Sequence, residues 1–203
     1  MSKGYFITFE GADGCGKTTQ VGLVEEELTK KGYNVLRTRE PGGAKLGVKL
    51  REILLHYDGV VAPDCELFLY LADRAQHINT VIKPALEKGC IVLCDRHTDS
   101  TVAYQGYGRG IDLERINYLN NIAIAGLKPH LTVVFDVDSE VAQTRLGGEK
   151  DRLEALGLEF HKKVRQGYLE IAKQEPERVK VVDANKPVGE VFEEVAKLLA
   201  PVV

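Results

Sequence analysis

Residues 11–18, Gly11-Ala12-Asp13-Gly14-Cys15-Gly16-Lys17-Thr18, match the pattern G-x-x-x-x-G-K-[ST] between a predicted strand and a predicted helix. The apolar run 5–9 favours the strand, and the spacing of apolar residues over 19–31 favours the helix. The glycines allow backbone N–H groups to surround a polyphosphate, and the helix N-terminus adds its positive dipole end. Strand, loop and helix in this order are far more specific than the pattern alone. The sequence therefore predicts a site for a nucleoside triphosphate.

The residues of this loop have distinct expected contacts. Residues 11–18 and the following Thr19 are predicted to bind ATP. Lys17 would reach the β- and γ-phosphates, and the hydroxyl of Thr18 would hold Mg²⁺. A plain glycine turn followed by an exposed lysine is the alternative for the same residues. Cys15 occupies a position that suits a small residue, and a redox role for its thiol is left open.

Composition and charge exclude several classes of protein. The chain has 203 residues, of which 44% are hydrophobic and 28% charged, as is typical of a soluble globular protein. Its formal net charge of −3 gives no general attraction for nucleic acid polymers. No apolar stretch approaches the roughly 18–20 residues of a membrane span, and we recognise no signal peptide before the first strand. We therefore expect a cytoplasmic protein with neither a nucleic acid polymer nor a membrane as partner.

Five strand-like apolar runs alternate with helical patterns along the chain. The runs cover residues 5–10, 33–38, 90–95, 131–136 and 179–183. Such alternation is typical of an α/β fold in which helices cover both faces of a parallel sheet. Because no repeats or linker-like segments interrupt the pattern, we predict one domain over residues 1–203. The short polar stretch Leu146–Arg152, with its two glycines, suits a mobile lid over about 146–153.

Charged residues follow the ends of these strands. Ligands of such folds gather at the carboxyl ends of the strands, which here carry Glu10, Thr38-Arg39-Glu40, Asp95-Arg96, Asp136 and Asp183. Asp95 is placed to hold Mg²⁺ in the manner of a Walker B carboxylate. Arg96 and Arg39 would grip one dianionic group as planar forks, which indicates an acceptor that already carries a phosphate. An ion pair between Asp95 and Arg96 is the alternative for that dipeptide.

The phosphate loop alone fits GTPases, motor and transport ATPases and small-molecule kinases. A GTPase needs the guanine signature N-K-x-D, whereas this chain has Asn185-Lys186-Pro187-Val188. We therefore reject a GTPase, and the chain length with a single phosphate loop favours a small kinase. Another nucleoside monophosphate kinase and a deoxynucleoside kinase are the enzymatic alternatives. A nucleotide-dependent binding protein, which would hydrolyse ATP without an acceptor, is the alternative from another class.

Four motifs resemble those of the bacterial thymidylate kinase family. They are Thr38-Arg39-Glu40-Pro41-Gly42-Gly43, Asp95-Arg96-His97, Ala103-Tyr104-Gln105-Gly106 and Asp151-Arg152-Leu153-Glu154. They stand in the family's order, and the similarity extends over nearly the whole chain. The resemblance implies transfer of the γ-phosphate of ATP to dTMP with Mg²⁺, giving dTDP for dTTP synthesis. It also implies a P-loop kinase fold with a five-stranded parallel sheet, and a homodimer.

The resemblance implies which residues bind dTMP. Arg39 and Arg96 would bind its phosphate, and Arg74 would donate a hydrogen bond to thymine O4. Tyr70, four residues before Arg74, would stack on the base. Phe68 falls on another face of the same helix and is expected in the core, together with its apolar neighbours on that helix.

A second segment matches the part of the family that lines the nucleoside pocket. It contributes Ser100, Thr101, Tyr104 and Gln105. Tyr104 would crowd the 2′ position and so exclude ribonucleotides, while Thr101 and Gln105 would contact the base edge. A glycine-rich loop with incidental aromatic residues over 104–108 is the alternative for this segment.

The resemblance also implies catalytic residues. Lys17, Arg96 and Asp13 are predicted to act on the transferred phosphate, with Asp13 near the acceptor sugar and phosphate. Lys17, Mg²⁺, Arg39 and Arg96 would relieve the repulsion between two polyanions, because phosphoryl transfer depends mainly on positioning and charge neutralisation. Arg51 would either reach the acceptor or remain in solvent.

A basic residue from the lid completes the set that the resemblance implies. The bacterial members take such a residue from the lid, and here Arg152 is the first choice and Arg145 the second. A salt bridge of Arg152 with Glu149 or Glu154 on the surface is the alternative.

Overall fold

Five parallel strands form the centre of the molecule. The structure, a computed structural model, describes residues 4–147 and 151–200. The strands are β1 (Tyr5–Glu10), β2 (Val35–Arg39), β3 (Ile91–Asp95), β4 (Leu131–Asp136) and β5 (Val179–Asp183). Each falls where an apolar run predicts it, and the largest difference is at β2, which begins at Val35 and ends at Arg39. The predicted α/β fold with a five-stranded parallel sheet is confirmed.

Helices fill the connections between the strands. They are α1 (Lys17–Lys30), α2 (Lys45–His56), α3 (Pro63–His77), α4 (Lys83–Glu87), α5 (Thr98–Thr101), α6 (Leu113–Ile124), α7 (Ser139–Arg145), α8 (Leu158–Gln174) and α9 (Val188–Leu199). A π-helical turn, Ile78–Ile82, joins α3 to α4, and a second one, Val102–Gly108, continues α5. The glycine-rich loop considered for residues 104–108 is therefore wrong, because these residues are helical. Within the described ranges, no helix is both long and apolar enough to cross a membrane.

The order of the strands creates the crevice that holds the site. Across the sheet the order is β2-β3-β1-β4-β5, and all neighbouring strands are parallel. The chain therefore passes from β1 to the edge strand β2, returns to place β3 between them, and then crosses to the other side of β1 to form β4 and β5. Ligands of open α/β sheets bind at the carboxyl ends of the strands beside such a switch point. Here that point is the end of β1, where the phosphate loop begins.

Both faces of the sheet are covered because alternate strand residues point to opposite sides. One face packs against α1 and α9 through a buried set that includes Ile7, Phe9, Leu93, Val133, Val21, Val24 and Val195. The other face packs against the π-helical turns and α8 through sets that include Phe6, Val92, Cys94, Ile78, Ile82, Val134, Ala103 and Tyr168. The sheet is thus rigid on both sides, and only its edges and strand ends are open to a ligand.

Candidate active site

The phosphate loop turns the chain from β1 into α1. Gly11, Gly14 and Gly16 have φ values of 135°, 80° and 88°, a region that residues with a Cβ rarely occupy. A Cβ at Gly14 would also collide with the carbonyl oxygen of Ala142. Gly16 caps α1 without a side-chain hydrogen bond, so the first N–H groups of the helix stay available for an anion. The loop therefore has the geometry of a polyphosphate cradle.

Lys17 lies inside this loop and is buried. Its Nζ donates hydrogen bonds to the carbonyl oxygens of Gly11, at 3.0 Å, and Ala12, at 3.1 Å. Its Nζ also lies 3.6 Å from Cys15 Sγ, and this thiol is buried. The ammonium group is thus held at the centre of the cradle. Thr19 lies one residue beyond Thr18 on α1, where both side chains are exposed.

A cleft of about 470 Å³ opens in front of the loop. Its lining joins most of the predicted ATP-binding residues to charged groups from β2, α2, β3 and the end of α7: Asp13, Gly14, Cys15, Gly16, Lys17, Thr18, Arg39, Glu40, Arg51, Asp95, Arg96, Arg145, Leu146 and Glu154. Five of these residues are cations, which is the composition that a polyphosphate requires. We call this space the donor cleft. The predicted Gly11, Ala12 and Thr19 are not part of its lining.

The donor cleft contains two groups that fit Mg²⁺. The hydroxyl of Thr18 is exposed at the start of α1, and Asp95 ends β3 beside it in the cleft lining. Asp95 Oδ1 is buried and has no hydrogen-bond partner in the described protein. A buried carboxylate oxygen without a protein partner is costly unless a ligand satisfies it. Carboxylate and hydroxyl oxygens are also the ligands that Mg²⁺ prefers, so these residues fit the ion.

A second, smaller cavity of about 70 Å³ lies on the other side of Arg96. Seven of the predicted dTMP-binding residues line it, namely Tyr70, Arg74, Arg96, Ser100, Thr101, Tyr104 and Gln105, together with Asp13, Glu40, Pro41, Arg51, Leu55, Asp151 and Leu153. We call this space the acceptor cavity. The eighth predicted residue, Arg39, lines the donor cleft and is exposed.

The two spaces meet at a shared wall. Asp13, Glu40, Arg51 and Arg96 line both the donor cleft and the acceptor cavity. A group held in one space therefore lies next to a group held in the other, with arginines between them. Arg51, which the sequence left between acceptor and solvent, belongs to this wall.

Arg96 has an unusual backbone conformation, and hydrogen bonds hold its side chain in this wall. Its φ of 68° is unusual for a residue with a side chain and is typical of functional sites. Nη2 contacts Asp13 Oδ1 at 2.5 Å and donates to the Tyr104 hydroxyl at 3.1 Å, and Nη1 donates to the Gly11 carbonyl at 3.0 Å. Burial disfavours its charge, but the carboxylate of Asp13 keeps the pKa of Arg96 well above its usual value. The guanidinium is fixed and charged, as a phosphate-binding group should be.

The pKa of Asp13 is affected by the same contacts. Burial alone would raise its pKa, but the charges of Arg96 and Lys17 outweigh burial and lower the pKa below its usual range. The Tyr104 hydroxyl donates to Asp13 Oδ2 at 2.8 Å. Asp13 is therefore an anion that orients Arg96 and Tyr104 at the junction of the two spaces.

Arg74 lies in the wall of the acceptor cavity with most of its donors in use. Nε donates to Glu40 Oε2 at 2.8 Å, and Nη1 donates to Thr101 Oγ1 at 2.9 Å and Asn120 Oδ1 at 2.7 Å. Nη2 donates to the carbonyl of His97 at 2.9 Å. Nη2 carries a second hydrogen, so one donor remains for a ligand. Donation from Arg74 to thymine O4 stays a prediction. The contacts with the protein fix the orientation of the guanidinium from which that hydrogen bond would be donated.

The two aromatic residues of α3 differ in their surroundings. Tyr70 lines the acceptor cavity, and burial raises the pKa of its hydroxyl above the usual value. Its stacking on the base stays a prediction. Phe68, which was expected in the core, is 50% exposed, whereas Leu67 and Leu71 are buried as expected. The expectation for Phe68 is wrong because the helix packs through its other face, on α6 and the sheet side.

Arg145 and Arg152, the two arginines considered for the basic residue of the lid, have different surroundings. Arg145 ends α7, lines the donor cleft and donates from Nη1 to the Ala184 carbonyl at 3.0 Å. Arg152 instead donates to the Leu54 carbonyl at 2.9 Å and pairs through Nη1 with Glu66 Oε2 at 2.6 Å. Arg152 is not among the residues that line either space. Its role in catalysis stays a prediction, and the geometry favours the second choice, Arg145.

The salt bridge considered for Arg152 has a different partner from those named. Glu154 Oε2 accepts a hydrogen bond from the backbone N–H of Asp151. Glu149, with the rest of residues 148–150 in the predicted lid, lies outside the described residues. The partner observed for Arg152 is Glu66 on α3, far away in the sequence.

The site also contains a carboxylate, Glu10, for which the sequence analysis predicted no specific role. Glu10, at the end of β1, is fully buried, and its Oε1 accepts from the backbone N–H of His97 at 2.7 Å. Its Oε2 accepts from Ser100 Oγ at 2.5 Å and from the Tyr168 hydroxyl at 3.1 Å. Burial first, and the nearby Asp99 second, raise the pKa of Glu10 to about 7. The acidic end of a buried strand was the only signal for it, and Tyr168 had none.

A buried cluster behind the acceptor cavity has metal-ligating side chains but fits hydrogen bonding better. Glu40, His77 and Cys94 offer ligand atoms that lie close together. Glu40 Oε1, however, is already 3.0 Å from Nδ1 of both His77 and His97, and Oε2 accepts from Arg74. Burial raises the pKa of the Cys94 thiol well above its usual value, so this group stays protonated. The cluster therefore supports Arg74 from behind.

Comparisons with known proteins agree with this geometry. A family profile described as thymidylate kinase matches residues 9–195. The chain is 51% identical over 197 residues to a thymidylate kinase of Geotalea daltonii, covering 92% of each chain. It is 50% identical over 208 residues to a thymidylate kinase of Nitratidesulfovibrio vulgaris, covering 98% of this chain and 97% of the relative. A crystal structure of thymidylate kinase from Ehrlichia chaffeensis is 40% identical, covers 97% of this chain and 98% of its own, and superposes with a TM-score of 0.80.

Proposed function

This chain belongs to the thymidylate kinase family, and we propose that it carries out the family's reaction in the two adjoining spaces described above. It is an enzyme that transfers the γ-phosphate of ATP to dTMP, giving dTDP and ADP. One observation carries the assignment of residues: the donor cleft and the acceptor cavity share a wall that contains Arg96, Arg51 and Asp13. Two bound phosphates would meet at that wall and nowhere else in the described site.

The donor cleft would hold ATP by its phosphates. The backbone N–H groups of residues 11–18 and the start of α1 would surround the β-phosphate, and Lys17 would contact the β- and γ-phosphates. Thr18 and Asp95 would hold Mg²⁺, which neutralises charge on the phosphates when bound. Arg145 is the residue near the lid that is placed to contact the γ-phosphate in this arrangement.

The acceptor cavity would hold dTMP with its phosphate at the shared wall. Arg96, already fixed by Asp13, would bind that phosphate, and Arg39 would approach it from the donor cleft. Tyr70 would stack on the base and Arg74 would donate to O4, while Tyr104 would lie under the sugar. The phosphate oxygen of dTMP is already anionic, so no strong base is needed. Positioning and charge neutralisation would supply the catalysis.

An assay of ADP release tests this proposal directly. We expect MgATP with dTMP to give ADP and dTDP in equal amounts, with much lower rates for dUMP, dCMP and AMP. Chromatography of the products would identify dTDP. A preference for another monophosphate would contradict the base-reading roles of Tyr70 and Arg74. ADP release that does not depend on any acceptor would contradict the kinase assignment and favour a nucleotide-operated binding protein.

The metal assignment predicts a change in the requirement for magnesium. We expect Asp95→Asn to raise the Mg²⁺ concentration for half-maximal activity by about tenfold, because the neutral amide is a weaker ligand. The matched variant Asp183→Asn ends β5 in the same way but lies outside the donor cleft, and it should leave the requirement unchanged. Titration of activity with Mg²⁺ at saturating ATP and dTMP measures both. An unchanged requirement in Asp95→Asn would remove this residue from the metal site.

We also propose that the protein is a homodimer in the cytoplasm. An apolar stripe on the adjoining helices α3 and α6, formed by Phe68, Tyr118 and Ile122, is at least half exposed. The salt bridge between Asp64 and Arg115, at 3.2 Å, lies on the same helices. A stripe of large apolar side chains with a charged edge is typical of a surface that is buried in the interface with a second copy of the chain.

The oligomeric state tests the stripe. Light scattering coupled to gel filtration should give the mass of a dimer for the unmodified protein and of a monomer for Ile122→Glu. The control is Val60→Glu, because Val60 is the most exposed large apolar residue in the described ranges and lies outside the stripe. A dimer that survives Ile122→Glu would place the interface elsewhere.

A further inference from the structure

Glu66, in the first turns of α3, is a fully buried carboxylate that has no role in the assignments above. Its Oε1 accepts from Gln105 Nε2 at 2.8 Å and from Arg109 Nε at 3.2 Å. Its Oε2 accepts from Arg109 Nη2 at 2.9 Å and lies 2.6 Å from Arg152 Nη1. Burial opposes its ionisation, but the hydrogen bonds from Arg109, Gln105 and Arg152 lower the pKa of Glu66. At neutral pH this group is ionised and can only accept hydrogen bonds.

The amide of Gln105 is oriented by this contact. An amide has a donating NH₂ end and an accepting C=O end that are nearly identical in shape, so its orientation depends on its hydrogen-bond partners. Because Glu66 can only accept, the NH₂ end must face Glu66. Gln105 is 1% exposed and lines the acceptor cavity, so its carbonyl Oε1 is the end left for a ligand. The cavity therefore presents an acceptor at residue 105.

An acceptor at this point distinguishes pyrimidine bases. Thymine carries a donor, N3–H, between two carbonyl acceptors, whereas cytosine carries an acceptor at N3 beside its amino group. A fixed carbonyl opposite N3 bonds to thymine and repels the N3 lone pair of cytosine. An amide that was free to rotate would accept either base by exchanging its two ends.

We propose that Glu66 is a positioning residue that sets base specificity by fixing the carbonyl of Gln105 toward the base. The proposal rests on the proposed placement of Gln105 at the base edge. Arg109 and Arg152 have a supporting part, because their charges keep Glu66 ionised and hence unable to donate. The cavity thus reads the base through a buried carboxylate that never touches the substrate.

The test compares two substrates that differ only on the base edge, dTMP and 5-methyl-dCMP. They share the sugar, the phosphate and the 5-methyl group. We expect the ratio of their kcat/KM values to favour dTMP strongly in the unmodified enzyme, and to fall about tenfold or more in Glu66→Gln. The reason is that two facing amides can pair in either orientation, so the amide of Gln105 is no longer fixed.

A charge-preserving double variant provides the rescue. In Glu66→Gln combined with Gln105→Glu, an acceptor-only carboxylate replaces the amide of residue 105 and the number of buried charges is unchanged. We expect the dTMP preference to return toward the original ratio. Arg109→Lys is the control, since it keeps a cation beside Glu66, so residue 66 stays ionised and unable to donate. Both substrates should change alike in Arg109→Lys.

Thermal unfolding of each variant separates specificity from stability. An unchanged substrate ratio in a folded Glu66→Gln protein would overturn the proposal and leave Glu66 a structural role only. If that variant does not fold, the double variant decides alone, and loss of the dTMP preference in it would overturn the proposal. If the unmodified enzyme forms dTDP without preferring dTMP over 5-methyl-dCMP, the base-edge placement of Gln105 fails and this proposal fails with it, while the kinase activity stands.

Discussion

The donor cleft and the acceptor cavity are built in different ways. The cleft, about 470 Å³ in volume, takes its largest continuous part, residues 13–18, from one loop and the start of the helix after it. The cavity, about 70 Å³, is lined by side chains from the phosphate loop, the turns after β2 and β3, α2, α3, α5, the second π-helical turn and the end of the predicted lid. A cleft made of backbone N–H groups and cations recognises phosphate whatever carries it. A small cavity made of separate side chains can instead fit one base and one sugar.

The two spaces also differ in how their charged groups are held. Arg39 and Thr18, in the cleft, are exposed, and within the described chain neither side chain has a hydrogen-bond partner. In the cavity wall, Arg74 is fixed by Glu40 and Arg96 by Asp13. Arg39 and Thr18 are thus free to follow a moving polyphosphate, whereas Arg74 and Arg96 are preorganised for one ligand. We therefore expect cleft variants to change turnover, and variants in the supporting carboxylates to change specificity and stability.

The largest effect should come from the cleft. Lys17→Met removes the central cation of the cradle, and we expect kcat to fall by about 10³-fold because charge stabilisation of the transferred phosphate is lost. Lys17 does not line the acceptor cavity, so the dTMP dissociation constant from calorimetry should stay within about twofold. Lys49→Met, which removes an exposed lysine of α2, is the control and should keep full turnover. A loss confined to dTMP affinity would remove the distinction between the two spaces.

A smaller effect on turnover should distinguish Arg145 from Arg152, the two arginines considered for the basic residue of the lid. We expect Arg145→Ala to lower kcat by about 10²-fold with dTMP affinity unchanged, because this residue lines the donor cleft. Arg152→Ala should lower the free energy of unfolding by about 2 kcal/mol, because it removes a charged hydrogen bond from the buried Glu66. Steady-state kinetics and urea denaturation of both variants measure these effects. A collapse of turnover in Arg152→Ala with full activity in Arg145→Ala would show that Arg152 leaves Glu66 to act on the phosphate.

Local sequence predicts the donor cleft well because its contacts are close in the chain. The loop residues, the helix after them and the charged end of β3 form one pattern that simple strand and helix periodicity places correctly. The five strands were also predictable from their apolar residues: the central strands β1, β3 and β4 are buried almost throughout, whereas the edge strands β2 and β5 are partly exposed. Periodicity failed at Phe68, because it shows that a helix has an apolar face but not whether that face meets the core or another molecule.

The acceptor cavity could not be derived from local sequence in the same way. Its residues were placed by resemblance to a family, and two of the carboxylates that fix them, Glu10 and Glu66, were given no role. Glu66 bonds to Gln105 across 39 positions, and Tyr168 bonds to Arg96 across 72. A single sequence without related sequences carries no sign of such pairs. The structure supplies them because packing of α3, the second π-helical turn and α8 brings distant side chains to one point.

The smallest effect should show that the buried Glu10 carboxylate lowers stability in exchange for orienting its hydrogen-bond partners. The pKa of Glu10 is about 7 in the folded protein, against a usual value of 4.5, because burial disfavours its charge. The folded state therefore binds more protons than the unfolded state between these values, and stability falls as the pH rises from about 4.5 to about 7. In Glu10→Gln this contribution is absent. The unfolding free energy of Glu10→Gln relative to the unmodified enzyme should rise over that interval by an amount on the order of 2 kcal/mol.

Urea denaturation at a series of pH values measures this difference, and the slope with pH separates it from the constant cost of the lost hydrogen bonds to Ser100 and Tyr168. Asp183→Asn is the control, because Asp183 is exposed and hydrogen bonds from Asn185 outweigh the effect of burial on its pKa. Its pKa is lowered by hydrogen bonds from Asn185, so its effect should have the opposite sign and fall at lower pH. Parallel profiles for Glu10→Gln and the unmodified enzyme would mean that Glu10 is ionised at no cost. The acceptor side would then have no measurable cost of a buried charge. The contrast between preorganised and mobile groups would be supported only by the hydrogen bonds and burial seen in the structure.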